Sequence, residues 1–178
     1  MSWFFLQALL DERAVLSCMV YIDLNPVRAG MCETLRDSHH TSVRHRLEST
    51  RSAIGKALGR RSQDEPLRPV AGLDSDTLTE LTESSYIELV RWTGLQAHPE
   101  KRGKLSATEE TPPEGLWAVA NHPKEWMRRV QGTESRNYRA IGSAEALMLK
   151  AADLGQRWMK GVSGEFALKK LREQPIPW

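Results

Sequence analysis

Tyr21 and Asn25 stand four residues apart near the end of an apolar-periodic stretch. That spacing puts both side chains on one face of a helix. A tyrosine hydroxyl can attack phosphorus when a cation or base activates it. An amide oxygen one turn away is a ligand of the oxygen type that Mg²⁺ and Mn²⁺ prefer. Ala14 and Cys18, both small, share that face and are expected to leave a low floor where a substrate backbone can come close. Plainer roles compete. A tyrosine at an apolar edge packs into a core, and an asparagine before proline ends a helix.

Other constellations are weaker. The histidines are His39, His40, His45, His98 and His122, and no two stand at i, i+2, the spacing that aims both the same way from a strand. His40 and His45 have a zinc-like separation, but Cys18 and Cys32 do not make the short cysteine pair that would complete a site. Lys160-Gly-Val-Ser-Gly164 lacks the Gly-Lys-Ser/Thr end of a phosphate loop and reads as a helix stop. Trp92, Trp117, Trp126 and Trp158 fall at helical apolar positions and are expected in the core.

The elements that must carry these residues follow from caps and periodicity. Trp3-Phe4-Phe5-Leu6 favours a strand by its aromatic content, and no partner strand is visible downstream. Asp11 caps a helix whose apolar positions are Val15, Met19 and Ile22 on one side and Leu16, Val20 and Leu24 on the other. Pro26 predicts its end at about Leu24. Ser38-His-His-Thr-Ser42 leads into a basic helix over 43–58, with Arg44, Arg46, Arg51 and Lys56 off its apolar face and Gly59 as its stop. Residues 62–76 hold Pro66, Pro69, Gly72 and scattered acids, and predict a linker and domain boundary. Helices are expected over 77–92, 116–120, 123–130 and 143–160, with Gly155 inside the last at a site of close packing. Residues 174–178 read as a loose tail.

The chain of 178 residues is 40% apolar and 27% charged. It has no apolar run near the ~18–20 residues of a membrane span. No basic residue precedes the apolar start, no cleavage site follows it, and two cysteines make no disulfide framework, so a cytoplasmic protein without a leader is expected. The net charge is +2, but it is unevenly placed: 36–61 carry seven Arg/Lys against two acids, and 62–85 carry one against six. Concentrated arginine is what binding phosphates requires, although charge runs also serve as solvated faces.

The run Tyr21-Ile-Asp-Leu-Asn-Pro-Val-Arg-Ala-Gly30 resembles the REP-associated tyrosine transposases of the HUH-type single-strand DNA transposase superfamily. Leu6–Glu12 and Asp37–Ser42 are similar to the segments that flank that helix in the family. Tyr86–Gly94, Lys101-Arg-Gly103 and Ser143–Leu147 on to Trp158 resemble the helical extension of its longer members. The resemblance implies that Tyr21 attacks single-stranded or hairpin DNA to give a 5′-phosphotyrosine and a free 3′-hydroxyl. It implies a Mg²⁺ or Mn²⁺ ion with Asn25 in its ligand set, and Arg28 near a phosphate. The family's His-hydrophobic-His motif, which precedes the tyrosine helix, has no counterpart here.

The expectation is therefore a mainly α chain, the C-terminal portion of such an enzyme. It would keep a short N-terminal strand from a truncated α/β (ferredoxin-like) nuclease domain, followed by a helical C-terminal extension. Residues 1–61 would end the nuclease domain, 62–76 link, and 77–173 form the extension. An inactive fragment of marginal stability is expected, with the Val15-Met19-Ile22 stripe lacking its partner. The alternatives are a non-catalytic helical DNA-binding module built on Arg44, Arg46, Arg51, Lys56, Arg60 and Arg61, and a partner of a full-length transposase copy that supplies Tyr21 in trans.

Overall fold

The computed structural model describes residues 6–49, 65–70, 72–73, 77–96, 103, 105, 111–120, 122–133 and 138–163. These are mainly helical. In order they form β1 (Ala8–Leu9), α1 (Glu12–Arg28), α2 (Ser42–Ser49), α3 (Glu83–Leu95), α4 (Glu114–Val119), α5 (Pro123–Gly132), β2 (Ala140–Ile141) and α6 (Ala144–Asp153). Among the described residues no helix is long and apolar enough to cross a membrane.

Asp11 caps α1 as expected, accepting the Ala14 N–H at 2.8 Å. The helix runs past the expected end at Leu24 to Arg28. Pro26 removes only the bond to the Ile22 carbonyl, and Ile22 is on the solvent side at 55% exposure. Leu24 and Val27 are both sunk in the core and hold the last turn in place. Gly30, at φ +70°, then stops the helix: its N–H donates to Val27 O and that of Met31 to Pro26 O, both at 2.9 Å.

A strand lies at Ala8–Leu9; of the strand expected at Trp3–Leu6, Leu6 is exposed and outside β1, and 3–5 lie outside the described residues. β1 does have a partner. β2 pairs with it in parallel, Ala8 opposite Ala140 and Leu9 opposite Ile141. Two residues are too few to show an alternating pattern in the sequence. Asp11 ties the pair together, because its other carboxylate oxygen accepts the Ser143 N–H at 2.5 Å. Gly142 allows this approach, since a Cβ there would sit 2.9 Å from that of Leu10.

Among the described residues, buried side chains on both sides of the expected boundary at 62–76 share one cluster. One cluster of buried residues runs from Leu16 through Leu67 and Leu78 to Val130. Leu67 N–H donates to Leu81 O at 2.7 Å and Glu83 N–H to Glu65 O at 3.0 Å, a short antiparallel bridge. Glu12, buried in the first turn of α1, accepts the N–H groups of Leu78 at 3.0 Å and Val70 at 3.3 Å. Val70, in the part of the expected linker that is described, and Leu78 just beyond it are thereby tied to α1 by one carboxylate.

This pinning also explains why α3 begins at Glu83 and not at 77. Leu78 and Leu81 are buried in a turn, and Thr82 caps the helix by accepting the Ser85 N–H at 3.1 Å. α1 packs against α3 and α5, and α3 against α2 and α4. Gly94 lets α3 close on Leu24, which a Cβ would meet at 2.8 Å. Trp126 is fully buried and donates from Nε1 to Thr93 Oγ1 at 2.8 Å. Trp92 is also core, but Trp117 and Trp158 are 45% and 56% exposed, contrary to expectation.

Ser143 caps α6, accepting the Ala146 N–H at 3.2 Å. The helix stops at Asp153, short of the expected 160. Gly155 is its left-handed stop at φ +68°, not a mid-helix packing site; no atom lies within 4 Å of where its Cβ would be. Gly155 and Gln156 N–H groups close on Ala152 O and Ala151 O. A second small cluster, Ala140, Leu147, Ala151, Met159 and Val162, packs with Leu10.

Candidate functional site

Within the decad, Asp23, Leu24, Val27 and Arg28 point inward and Ile22, Asn25 and Ala29 outward. Tyr21 is half-buried, with its ring packed at the margin of the core, and Asn25 is exposed. The pair therefore sits where α1 meets solvent, as the four-residue spacing requires. The floor beneath Tyr21 is only partly open. Cys18 is half-buried, and burial pushes its thiol pKa up. Ala14 is fully covered, so the expected low approach does not extend back to it.

What holds this helix in orientation is Asp23, which sequence reasoning passed over. Its carboxylate is buried and accepts three hydrogen bonds: the Ser42 N–H at 2.8 Å, the Ser42 hydroxyl at 2.7 Å and the Tyr86 hydroxyl at 2.7 Å. An anion at the start of α2 also meets the positive end of that helix. Burial first, then the charge of Asp23, holds the Tyr86 hydroxyl neutral well above the usual tyrosine range. The Arg46 guanidinium stacks 4.9 Å from the Tyr86 ring centroid and pairs with Glu83 at the start of α3. Asp23 thus joins α1, α2 and α3. The sequence signal was a carboxylate set among Val20, Leu24 and Val27, at a core position of an apolar stripe.

The arginines expected on DNA divide. Arg28 is 4% exposed, its side chain inside the fold rather than at the surface. Arg46 is committed to Glu83 and Tyr86. A guanidinium on a helix that packs against a second one can pair with a carboxylate and stack on an aromatic face there, as that of Arg46 does. Arg44 is more open, binding Glu48 at 2.8 Å and contacting His39 Nδ1. Arg51 and Lys56, like the second half of the expected basic helix, lie outside the described residues.

Among the described residues no group of three or more His, Cys, Asp or Glu side chains could hold a metal ion. Asp23, two residues from Asn25, has spent its oxygens on Ser42 and Tyr86. The residues around Asn25 therefore do not fit a Mg²⁺ or Mn²⁺ site as they stand.

No family model, no curated protein and no solved structure matches the chain.

Proposed function

We propose that this chain is the C-terminal portion of a tyrosine transposase of the REP-associated kind, a cytoplasmic protein that binds single-stranded or hairpin DNA. Its short N-terminal strand, β1, would be left from a truncated ferredoxin-like nuclease domain, and the residues from 77 onward would be the helical extension. The observation that supports the reading best is the setting of Tyr21 and Asn25. They lie on the solvent side of a helix whose other side is fixed by Asp23, Leu24 and Val27, so their mutual geometry is held by packing rather than by a loop.

In the complete reaction Tyr21 Oη forms a bond to phosphorus as the bond to the 3′ oxygen breaks. The products are a 5′-phosphotyrosine and a 3′-hydroxyl, and the phosphodiester energy is conserved in the new ester. Asn25 alone does not make a metal site, so this chain is expected to bind and not to cut. That the described residues supply no ligand set also favours the second reading, a helical DNA-binding module without catalysis.

The test is a covalent-adduct assay with labelled single-stranded hairpin DNA and Mn²⁺, beside Tyr21→Phe. Label that shifts on a native gel, weakens steeply with salt, and stays off the protein on a denaturing gel is the expected result. A Tyr21-dependent adduct would show that a metal site assembles after all. No shift at any salt concentration would remove both DNA readings.

A further inference from the structure

Beyond the end of α1 the loop Glu33–Arg36 faces α2 and the last turn of α3. Between them lies a pocket of about 240 Å³. Leu35, Leu47, Leu95 and Leu105 line its interior, while Glu33, Arg36 and Arg91 are exposed at its mouth. Leu105 is held there because its N–H donates to Gly94 O at 2.9 Å. Among the described residues neither Arg36 nor Arg91 spends its guanidinium on an ion pair.

The volume is below the ~300–1,000 Å³ of pockets that enclose a whole drug-sized ligand. It suits one ring system. The lining is aliphatic, so an occupant must bring its own flat apolar surface. Two guanidiniums with no ion pair among the described residues, beside that apolar hole, ask for an occupant with anionic charge on either side. An unstacked nucleotide within a strand has this pattern: a base that can be held between apolar side chains, and phosphates flanking it. Glu33 adds an acceptor at the mouth, suited to an exocyclic amine.

We propose that this pocket takes one unstacked, amine-bearing nucleobase of a bound single strand, with its flanking phosphates on Arg36 and Arg91. The proposal rests on the single-strand reading above and adds a place where one nucleotide is read.

The experiment uses the full chain and short fluorescent single strands in which each base in turn is removed to leave an abasic site. Anisotropy is expected to show one position where removal weakens binding by about tenfold, with thymine there nearly as poor. Arg36→Gln/Arg91→Gln changes two exposed side chains. It is expected to bind every strand more weakly and to lose the difference at that position. Even tolerance of base removal at every position, with the double variant binding as the parent does, would overturn the pocket and leave the single-strand reading standing. Failure of the parent chain to bind any strand would remove that reading and the pocket with it. Arginine-dependent capture of a Glu/Leu peptide, with base removal having no effect, would overturn the proposal in favour of a protein segment.

Discussion

Gly30 and Gly103 are glycines for different reasons, and substitution separates them. Gly30 sits at φ +70° with nothing within 4 Å of a would-be Cβ, so only its backbone angle demands glycine. Gly30→Ala should cost about 1–2 kcal/mol, the penalty of the left-handed region, and Gly30→Asn less, because asparagine visits that region more readily. A Cβ at Gly103 would lie 1.8 Å from the Val27 carbonyl oxygen. Gly103→Ala should therefore cost more than either, since the backbone crossing the end of α1 must move. Urea denaturation of the three variants gives the order directly; Gly103→Ala as the mildest would refute this account. Asp23 makes a stronger case. Asp23→Ala leaves the buried Tyr86 hydroxyl without its acceptor, at a cost of about 1–3 kcal/mol, and also removes the acceptor of the more exposed Ser42. Asp23→Asn keeps the shape and one acceptor oxygen, so it should fall between the parent and Asp23→Ala in the same measurement.

Between elements, the Tyr86–Asp23 bond gives the fold an alkaline limit. In the unfolded chain a tyrosine releases its proton near pH 10, whereas burial and Asp23 keep that of Tyr86 bound to higher pH. From about pH 10 upward the unfolded state therefore binds fewer protons and gains on the folded one. The stability carried by neutral Tyr86 is whole below that pH and is lost as pH rises through the folded value. Urea midpoints should drop as pH rises above about 10, and Tyr86→Phe should start lower and fall less steeply; parallel curves would show that Tyr86 is not the group responsible. The starts of α1, α5 and α6 were legible because Asp11, Pro123 and Ser143 are local signals that bind local N–H groups or preset φ. Their ends were less so. Whether α1 survives Pro26 depends on Leu24 and Val27 finding a core, which no local pattern states. Gly155 reads equally well as a packing site or a stop until its φ is known. The Tyr21–Asn25 face was legible from spacing alone; the burial of Asp23 was legible from its place in the apolar stripe, but its partners were not, since Ser42 and Tyr86 lie 19 and 63 residues away.

At the scale of the whole molecule, the parts that composition divides are folded together. Leu16, Val20, Leu24 and Val27 form one face of α1, and what covers that face is α3 and α5, from beyond the supposed linker. The second apolar stripe is less well served: Met19 packs at the core margin, Val15 is half-buried, and Ile22 stands out in solvent. A fragment of residues 1–61 would thus expose the well-packed face as well as the poorly packed one. Burial of a Leu or Val side chain contributes about 1.5–3 kcal/mol, so losing the cover over these four removes more than the ~5–15 kcal/mol margin of an ordinary domain can spare once Glu12 and Asp23 have also lost their partners. The full chain should melt in a single cooperative transition by circular dichroism, and the 1–61 fragment should show none. Glu12→Ala offers a gentler cut, freeing the Val70 and Leu78 N–H groups while leaving the α1 stripe intact. It should increase limited proteolysis within 62–76 before the helices unfold. Cleavage there at the parent's rate would mean that Glu12 merely sits beside that segment, and that the apolar contacts of Leu67, Leu78 and Leu81 are enough to hold the two parts together.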